Sequence, residues 1–373
     1  MIDAHFQREL CEQYPECGRC IGVEVLAGGH INDTYLAKYE VSGGIRSLVH
    51  QRINHNVFKD VPSVMENVVR VTEHARVWFA KNGVLDVERR VQTVYPTRDG
   101  NYYWQDSSGN YWRTQDYIAN AFSRVTPETS DEAYEAAFAF GMFQRVVADL
   151  DKPRLHETIP GFHHTPQRFA SFEAAVSGDT NGRLNGCQSE VSWILDQKPW
   201  HAMVQQAWDA NILPERVVHN DAKVANVLFD QDTSEGLAVI DLDTVMPGLS
   251  IHDFGDLVRS TTCTAAEDET DLAKVSVDID MFSALATGFM TGAGQLLTRE
   301  ERSMLLLGAK TIILEQATRF LKDHLEGDTY FRVYRPNQNL DRARTQIQLI
   351  KSIQMNDLML SLIINDVQQG AAS

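Results

Sequence analysis

The stretch HNDAKVANVLF, residues 219–229, contains polar residues that can take part in acid–base and metal chemistry, and it lies between two apolar runs. The run RVV precedes this stretch and LAVIDLDT follows it. Polar side chains in such surroundings cost stability unless they are paired or do chemical work. The first candidates for a functional site are therefore four polar residues of this stretch: His219, Asp221, Lys223 and Asn226.

The spacing of these residues, H-x-D-x-K-x-x-N, is typical of the catalytic loop of kinase-like phosphotransferases. In such a loop the Asp, here Asp221, accepts the proton of the substrate hydroxyl, and a Lys, here Lys223, lies near the moving phosphoryl group. The Asn, here Asn226, holds a Mg²⁺ ion through a hard oxygen ligand. A turn Asp or a strand-end Asn explains single residues, but it does not explain four at this spacing.

A hairpin is predicted over VLFDQDTSEGLAVIDLD, and it brings Asp241 back beside Asn226 as a second metal ligand. Asp243 lies two residues further on, so on a strand it points to the same side. We expect Asp243 to support the metal or to contact the substrate. The acids of HDFGD, Asp253 and Asp256, follow later in the chain and are interpreted as structural supports of the catalytic loop.

The apolar pattern predicts a β-rich first part and a larger helical second part. Strands are expected over residues 21–60 and an antiparallel meander over 91–118, with one main helix between them. From residue 131 the periodicity is mostly helical. We therefore predict an α+β fold with an N-terminal nucleotide-binding lobe, residues 1–118, and a C-terminal catalytic and substrate-binding lobe, residues 119–373.

Composition restricts the possible partners. The chain has 373 residues, of which 43% are apolar, and a formal net charge of −17. Nucleic acids and anionic membranes bind basic surfaces, so neither is expected as a partner. The sequence contains no signal peptide and no run of 18 apolar residues, which predicts a cytoplasmic protein without a transmembrane helix. The oligomeric state is left open.

Three of the five cysteines, Cys11, Cys17 and Cys20, lie near the start of the chain. Cys17 and Cys20 form a C-x-x-C pair, which together with Cys11 suggests a metal site. A structural zinc site requires four regularly spaced ligands, and a second pair is missing. We therefore favour free thiols in a reducing compartment.

Two adjacent histidines, His163 and His164, also suggest a metal site. They precede Thr165 and Pro166, a pair typical of a helix start with Thr165 as the cap. Adjacent side chains point in different directions on most backbones, so the helix start is the preferred interpretation.

Beyond the loop, the chain resembles the superfamily of aminoglycoside phosphotransferases and choline kinases, whose loop reads H-G-D-x-x-x-x-N before an I-D strand. This chain has Asn220 where that pattern has Gly. The closer resemblance is to the N-acetylhexosamine 1-kinases, through segments such as GGHINDTY, FHHTPQRF, IDLDTVMPG and RFLKDHLEGDTYF in the same order. The resemblance covers nearly the whole chain after residue 20 and implies a two-lobed protein-kinase-like fold.

The resemblance implies that ATP, with Mg²⁺, phosphorylates an N-acetylhexosamine (GlcNAc or GalNAc) at its anomeric hydroxyl. This hydroxyl is more acidic than an ordinary alcohol, so a carboxylate base at Asp221 suffices. Two alternatives stay open. One is another small-molecule alcohol kinase, for a different sugar, choline, homoserine or an aminoglycoside. The other is a nucleotide-binding pseudokinase, against which the intact residues Asp221, Asn226 and Asp241 count.

For the nucleotide phosphates, the resemblance implies a loop at Gly28 and Gly29 and a cation at Arg52, which replaces the kinase lysine. On strand periodicity alone, Arg52 is equally well a solvated residue. Either Glu66 or Glu73 of the following helix is expected to pair with Arg52, and the sequence does not choose between them.

The remaining contacts are also implied by the resemblance. The adenine is expected at the junction of the two lobes, against Gln115, Asp116 and Ile118. Without the resemblance, the segment ATRFLKDHLEGDTYF would be interpreted as a helix followed by a capped loop. The residues expected to contact the substrate are His30, Asn32, Asp221, Asp243, Arg319 and Tyr330.

Overall fold

The computed structural model describes residues 4–26, 31–150 and 152–370, and it confirms the α+β class. The first elements are α1 (Ala4–Gln13), β1 (Arg19–Val25), β2 (Asp33–Val41), β3 (Gly44–Ile53), α2 (Val61–Lys81), α3 (Val87–Arg90), β4 (Val94–Tyr95), β5 (Trp104–Gln105), β6 (Tyr111–Asp116) and β7 (Ala121–Phe122). Next come α4 (Ser130–Val146), α5 (Thr165–Gly178), α6 (Gln188–Asp196), α7 (Lys198–Asp209), β8 (Arg216–Val218), β9 (Val227–Asp230), β10 (Gly236–Val239) and β11 (Met246–Gly248). The last are α8 (Ser250–Thr261), α9 (Ile279–Ala293), α10 (Arg299–Ser303), α11 (Leu305–Leu325), α12 (Gln338–Met355) and α13 (Asp357–Gly370).

The chain forms two compact units. The first comprises the described residues of Met1–Ser123, Asp149–Pro160 and Val227–Met246. The second comprises those of Arg124–Ala148, Gly161–Asn226 and Pro247–Ser373. The predicted division into a nucleotide-binding and a substrate-binding lobe concerns what each part binds, and it stays a prediction.

A six-stranded antiparallel sheet dominates the first unit, with β1, β2, β3, β6 and β4 in that order and β5 also paired with β6. The strands β4 and β5 pair with successive parts of the same edge of β6, so the predicted simple meander is wrong. Gly100 and Gly109, with φ of 81° and 83°, lie in the intervening turns, where glycine is favoured. Near the end of β3 successive side chains differ in burial, because Ile53 is buried and Arg52 is exposed.

Helix α2 is the predicted main helix, and its start is capped by a side chain. The carboxylate of Asp60 accepts hydrogen bonds from the backbone N–H of Ser63 at 3.3 Å and from its hydroxyl at 2.7 Å. Pro62 lies in the first turn, where it costs no hydrogen bond. The apolar face of α2 then packs in one cluster with Ile53 of β3 and Val94 of β4, so the helix covers the side of the sheet to which those residues point.

In the second unit, α4 and α9 pack backbone against backbone through glycines. A Cβ atom at Gly141 would lie 2.2 Å from the carbonyl oxygen of Phe289, and one at Gly292 would lie 2.3 Å from that of Phe138. Both distances are far below any normal carbon–oxygen contact. The two helices can therefore lie this close together only because glycine has no side chain at these positions.

We expect Gly141→Ala to lower the free energy of unfolding by about 1–3 kcal/mol, because α4 and α9 must move apart. In an open helix the same change would raise it by about 1 kcal/mol. The matched control is Gly178→Ala at the exposed end of α5, where a Cβ atom would meet nothing closer than 3.9 Å. Chemical denaturation of both variants checks the prediction, and a Gly141→Ala protein as stable as the control variant would contradict it.

The helix α11 is buried along most of its length. It packs with α12 in a cluster that includes Phe320 and Ile347. Within the described residues, no single helix is long and apolar enough to cross a membrane. The helices α12 and α13 meet that criterion only as a pair, bent by 71° between them.

The cysteines near the start of the chain are free thiols. Cys11, Cys17 and Cys20 pack, partly buried, against a small cluster that contains Tyr39 and Leu48. Over the ranges that the structure describes, no group of three or more His, Cys, Asp or Glu side chains is arranged to hold a metal ion.

Candidate active site

The loop at residues 219–226 is fixed from one side by a buried carboxylate. Asp253, in the first turn of α8, accepts the backbone N–H of His219 at 2.9 Å and that of Asn220 at 2.7 Å. The interpretation of Asp253 as a support of the loop is thus confirmed. Asp256, the other acid interpreted in this way, bonds to Arg259 at 2.7 Å, so it has no comparable direct hold on the loop backbone.

Asn220 adopts a left-handed conformation with φ of 65°. Glycine adopts it without cost, and Asn is among the few other residues that tolerate it. This backbone requirement explains why Gly occupies the position in the superfamily pattern and why Asn can replace it here. Gly248 makes room for the Asn220 amide, because a Cβ atom there would lie 3.0 Å from Asn220 Oδ1.

The carboxylate of Asp221 is held through one of its oxygens. Lys223 Nζ donates to Asp221 Oδ2 at 2.8 Å, and Asn226 Nδ2 donates to the same oxygen at 3.0 Å. Asn226 Nδ2 also donates to the Asp221 carbonyl at 2.8 Å. Within the described part of the chain both side-chain bonds reach Oδ2, and Oδ1 accepts no side-chain hydrogen bond.

The charge state of Asp221 follows from these contacts. Burial by itself raises the pKa of a carboxyl group, but the charge and hydrogen bond of Lys223 outweigh it. With further help from His219 and Asn226, they hold the pKa of Asp221 well below its ordinary value. Asp221 is therefore an anion at neutral pH, as a proton acceptor must be.

The two predicted metal ligands lie in different units. Asn226 is buried and uses its amide N–H on Asp221, so its amide oxygen is the atom that can bind a cation. Asp241 follows β10 and has a left-handed φ of 62°, an uncommon conformation that often marks functional positions. Amide and carboxylate oxygens are the hard ligands that Mg²⁺ prefers, so both residues fit the ion by their chemistry.

Asp243 differs from what strand alternation predicts. The strand β10 ends at Val239, and Leu242–Thr244 forms a short 3-10 helix. Asp243 is buried there and forms an ion pair with Arg113. It also accepts a hydrogen bond from Asn32 Nδ2 at 2.7 Å. The argument that Asp241 and Asp243 point the same way is therefore wrong, and a substrate contact by Asp243 stays a prediction.

Asn32 is buried and both ends of its amide are engaged. Besides the bond to Asp243, its Oδ1 accepts the backbone N–H of Asn54 at 3.0 Å. Asn32 thus links the segment before β2 to the segment after β3. The predicted phosphate and sugar contacts at Gly28, Gly29 and His30 lie outside the described residues.

A small cavity in the first unit contains two of the predicted residues, Gln115 and Asp241. Gln115 shares a hydrogen-bond acceptor, Gln51 Oε1, with Arg113, at 3.0 and 2.8 Å respectively. This face of β3 and β6 is polar under an apolar rim. The residues that line the cavity are Val68, Thr72, Val91, Gln92, Val94, Arg113, Gln115, Val239, Asp241 and Leu242.

The other predicted adenine contacts continue from the same strand. Asp116 accepts a hydrogen bond from the Tyr95 hydroxyl at 2.6 Å. Ile118 is buried and packs against Leu237 and Ala238 of β10. Their roles in nucleotide binding stay predictions.

Arg52 has a different partner from those expected. It lies beside Gln51 on β3, so it points to the opposite face, and it pairs with Asp33 at 2.8 Å from Nε. Glu66 bonds to a histidine, His156, at 2.9 Å, and Glu73 accepts a tyrosine hydroxyl, so neither expected partner contacts Arg52. Phosphate binding by Arg52 stays a prediction.

In the second unit, Arg319 of α11 lies among aromatic rings. Its guanidinium carbon is 5.4 to 5.7 Å from the ring centres of Phe162, Tyr330 and Phe331. Arg319 Nη2 lies 3.4 Å from the Tyr330 hydroxyl. The structure thus brings together the two predicted sugar contacts, Arg319 and Tyr330, in what we call the arginine–aromatic cluster, defined by these four residues.

The loop that carries Tyr330 is anchored by a buried acid. Asp323 accepts the backbone N–H groups of Thr329, Tyr330 and Phe331 at 2.9, 2.7 and 2.9 Å. Sequence reasoning missed this anchor, and it missed Phe162 and Phe331 of the cluster. The segment FHHTPQRF was a usable signal, because it places Phe162 next to paired histidines that already suggested a site.

Comparison with known proteins shows the family and the fold of the chain. Residues 22–283 match the model of the phosphotransferase enzyme family, APH. Among solved structures, a choline kinase from Cryptosporidium parvum is 11% identical with a TM-score of 0.58, over 98% of this chain and 99% of that one. A choline/ethanolamine kinase family protein from Mesorhizobium loti is 16% identical with a TM-score of 0.56, over 98% and 99%.

An aminoglycoside phosphotransferase from Alicyclobacillus acidocaldarius is 12% identical with a TM-score of 0.52, over 94% of this chain and 92% of that one. These likenesses show the fold, which is protein-kinase-like. The family model spans more than half of the chain and includes the whole 219–226 loop. The chain therefore belongs to the APH phosphotransferase family, whose members transfer a phosphoryl group to an alcohol.

Proposed function

We propose that the protein transfers the γ-phosphoryl group of ATP to the anomeric hydroxyl of an N-acetylhexosamine, which yields the sugar 1-phosphate and ADP. The observation that carries the transfer chemistry is the anionic Asp221 carboxylate, held through Oδ2 by Lys223 and Asn226. The choice of sugar is supported by the sequence resemblance and by the arginine–aromatic cluster.

In this proposal Asp221 Oδ1 accepts the hydrogen bond of the anomeric hydroxyl and takes its proton as the phosphoryl group arrives. Lys223 keeps the carboxylate ionised and oriented. Asn226 and Asp241 would hold Mg²⁺, which when bound spreads the charge of the phosphate oxygens. The base mainly orients the nucleophile, because positioning contributes most of the catalysis in phosphoryl transfer.

For the nucleotide, the proposal places ATP beside the polar face formed by Gln51, Arg113 and Gln115. The cavity next to this face has room for about one water molecule, so it does not itself hold the nucleotide. Asp241 lines the same cavity. The proposal keeps Gln115, Asp116 and Ile118 as adenine contacts. Arg52 uses Nε and Nη2 on Asp33, so the proposal leaves its Nη1 for a phosphate.

The acceptor is proposed to be neutral rather than cationic. Arg168 lies near the cluster, with its guanidinium carbon 5.9 Å from the ring centre of Phe162. The guanidinium carbon of Arg319 lies 5.6 Å from the centre of the same ring. Burial, and after it the charge of Arg319, lowers the pKa of Arg168. Among the described residues, Glu315 is the carboxylate that acts on Arg168, and it is bonded to His163. The carboxylate of Asp323 is engaged by the backbone N–H groups of the Tyr330 loop. Choline and aminoglycosides are cations, so this environment disfavours them relative to a sugar.

A panel of acceptors tests the assignment. Purified protein with Mg²⁺ and ATP is incubated with N-acetylglucosamine, N-acetylgalactosamine, glucose, galactose, choline, homoserine and kanamycin, and ADP release is measured. The proposal predicts turnover with the two N-acetyl sugars at a kcat/KM at least about tenfold above the others, the scale of one or two specific contacts. Turnover with choline or kanamycin alone would overturn the sugar assignment.

Arg319→Lys is expected to raise the KM for the sugar about tenfold while the KM for ATP stays unchanged. Lysine keeps the charge but loses the planar fork that can bond two oxygens and stack on rings. Arg332→Lys is the matched control, because Arg332 also lies over a ring, that of Tyr334 at 5.3 Å, but is exposed and outside the cluster. Steady-state kinetics with each substrate varied in turn checks the prediction. A similar change in both variants would argue against a sugar contact by Arg319.

A further inference from the structure

His163 bridges the base-bearing loop and helix α11. Its Nδ1 lies 3.1 and 3.2 Å from the two carboxylate oxygens of Glu315, and its Nε2 lies 3.1 Å from the carbonyl oxygen of Asn220. When Glu315 is ionised, its carboxylate and the Asn220 carbonyl are both acceptors, and neither can donate a hydrogen bond. A neutral imidazole carries one proton and can satisfy only one of them. With Glu315 ionised, both contacts are therefore satisfied only by a doubly protonated, cationic ring.

The surroundings of His163 are consistent with this charge. Burial lowers the pKa of His163, but the charge and hydrogen bond of Glu315 and the Asn220 carbonyl outweigh it and raise the pKa overall. Burial likewise opposes ionisation of Glu315, yet His163, Arg319 and Arg168 lower its pKa to about 2. The pair is thus a buried ion pair, with both side chains at most 9% exposed.

The other face of the ring meets a neutral group. His252 of α8 lies 5.0 Å from His163 between ring centres, and burial first and His163 second lower its pKa to about 3. Asp256, also of α8, contributes a favourable charge. The charged and titratable groups around His163 are therefore Glu315 and Arg319 from α11, His252 and Asp256 from α8, and Arg168 from α5.

The bonded carbonyl belongs to the peptide that enters Asp221. On the same turn, Asp253 accepts the N–H groups of His219 and Asn220. Two backbone N–H groups of the loop are therefore bonded to Asp253 of α8, and one backbone carbonyl of the loop is bonded to His163. Because this peptide is joined directly to the Cα atom of Asp221, a rotation of the peptide would change the direction of the Asp221 side chain.

We propose that His163 is a positioning residue for phosphoryl transfer: as a cation bonded to Glu315, it fixes the Asn220 carbonyl and thereby the orientation of the Asp221 carboxylate. The inference rests on the proposed function in so far as Asp221 is the base. It adds that α11, which carries Arg319 four residues after Glu315, is connected to the base by a chain of two hydrogen bonds.

His163 also gives the reaction an alkaline limit. Its folded-state pKa is raised above the ordinary value of a histidine, so both bonds are present below that folded-state pKa and one is lost as pH rises through it. We expect kcat to fall on the alkaline side for this reason. A variant whose side chain donates to the Asn220 carbonyl without titrating should lack that fall.

Two amides distinguish the bonds of His163. The side-chain nitrogen of Asn occupies a place near that of Nδ1, and the nitrogen of Gln occupies a place near that of Nε2. His163→Gln therefore keeps a donor for the Asn220 carbonyl, and His163→Asn keeps one for Glu315. Both changes are made in a Glu315→Gln background, so that neither leaves a buried carboxylate without its cation.

The experiment measures kcat for these two double variants and for wild type, with thermal unfolding as the control for folding. We expect kcat to fall about 10²-fold in the Asn variant, because loss of orientation alone costs about 10²-fold. In the Gln variant kcat should fall less than about tenfold. The alkaline fall of kcat should disappear in the Gln variant. Equal kcat values in two equally stable variants would overturn the proposal, because a merely structural role does not distinguish the two nitrogens.

A second readout does not depend on turnover. Hydrogen–deuterium exchange of the peptide that contains residues 219–226 should be at least threefold faster in the Asn variant than in the Gln variant. If no acceptor is phosphorylated by the wild type, the proposed function fails, and this exchange rate alone decides the inference. Equal exchange rates would overturn the positioning role of His163 even in an active enzyme.

Discussion

Replacing Asp221 by Asn is expected to lower kcat by about 10²- to 10⁴-fold, the range measured for loss of a general base. The amide keeps the shape of the side chain but cannot take a proton. In the wild type, Lys223 and Asn226 donate to Asp221 Oδ2 at 2.8 and 3.0 Å. With an amide at position 221 these contacts become weaker or repulsive. The hydroxyl of the acceptor then loses both its proton acceptor and its orientation.

Nucleotide binding separates this effect from misfolding. The Kd for Mg²⁺-ATP, measured by calorimetry, should change less than about threefold in Asp221→Asn, because Asp221 is assigned to the acceptor. Asp232→Asn, in the exposed turn between β9 and β10, is the matched control and should retain wild-type kcat. A kcat within threefold of wild type in Asp221→Asn would contradict the assignment of the base.

The largest effect on stability is expected for Arg113→Met. The ion pair between Arg113 and Asp243 is buried, with both side chains 2% exposed. Removal of the arginine leaves a carboxylate that cannot reach water, and such a loss costs about 3–5 kcal/mol. The Nε bond to Gln51 at 2.8 Å is lost as well. We expect the midpoint of chemical denaturation of the first unit to fall accordingly.

The matched control is an exposed pair in the same sheet. Arg19 and Glu40 form an ion pair between β1 and β2 with side chains 76% and 55% exposed, so Arg19→Met should cost less than about 1 kcal/mol. The double variant Arg113→Met with Asp243→Leu should be more stable than Arg113→Met alone, because no buried charge remains. If Arg113→Met and Arg19→Met have equal effects, the pair with Asp243 contributes nothing beyond a surface contact.

Features that depend on neighbouring residues could be predicted from the sequence. The helix α2 between the two sets of strands was predicted, and its start depends on Asp60, Pro62 and Ser63, which lie within a few residues of one another. The same holds for the 219–226 loop, where Lys223 and Asn226 reach Asp221 over two and five positions. Such contacts follow from backbone geometry, which local sequence largely determines.

Contacts between distant segments could not be predicted in this way. Asp243 finds Arg113 and Asn32 at separations of 130 and 211 residues, and His163 finds Glu315 at 152. No periodicity encodes such pairs, since they form only when the whole chain packs. The prediction for Asp243 was wrong in its geometry for a related reason: the chain leaves the strand at Val239 and turns at Asp241, which local patterns did not reveal.

For the adjacent histidines, the predicted helix start was correct, but the residue that caps it and the contact of His163 were not predicted. The predicted helix start is present, but the side chain that caps it is His164, whose Nδ1 accepts the Gln167 N–H at 3.1 Å, rather than Thr165. Thr165 instead donates its hydroxyl to the carbonyl of His201 at 2.6 Å. This arrangement leaves His163 directed at Glu315, a contact that the sequence did not suggest.

The central claim, transfer of a phosphoryl group to an anomeric hydroxyl with Asp221 as the base, is tested most directly by phosphorus NMR. Purified protein is incubated with Mg²⁺-ATP and N-acetylglucosamine beside the Asp221→Asn variant. We predict a new phosphomonoester signal that is split by the anomeric proton, that grows as ATP is converted to ADP, and that is absent with the variant. A phosphomonoester coupled to any other sugar proton, or intact ATP in both samples, would contradict the claim.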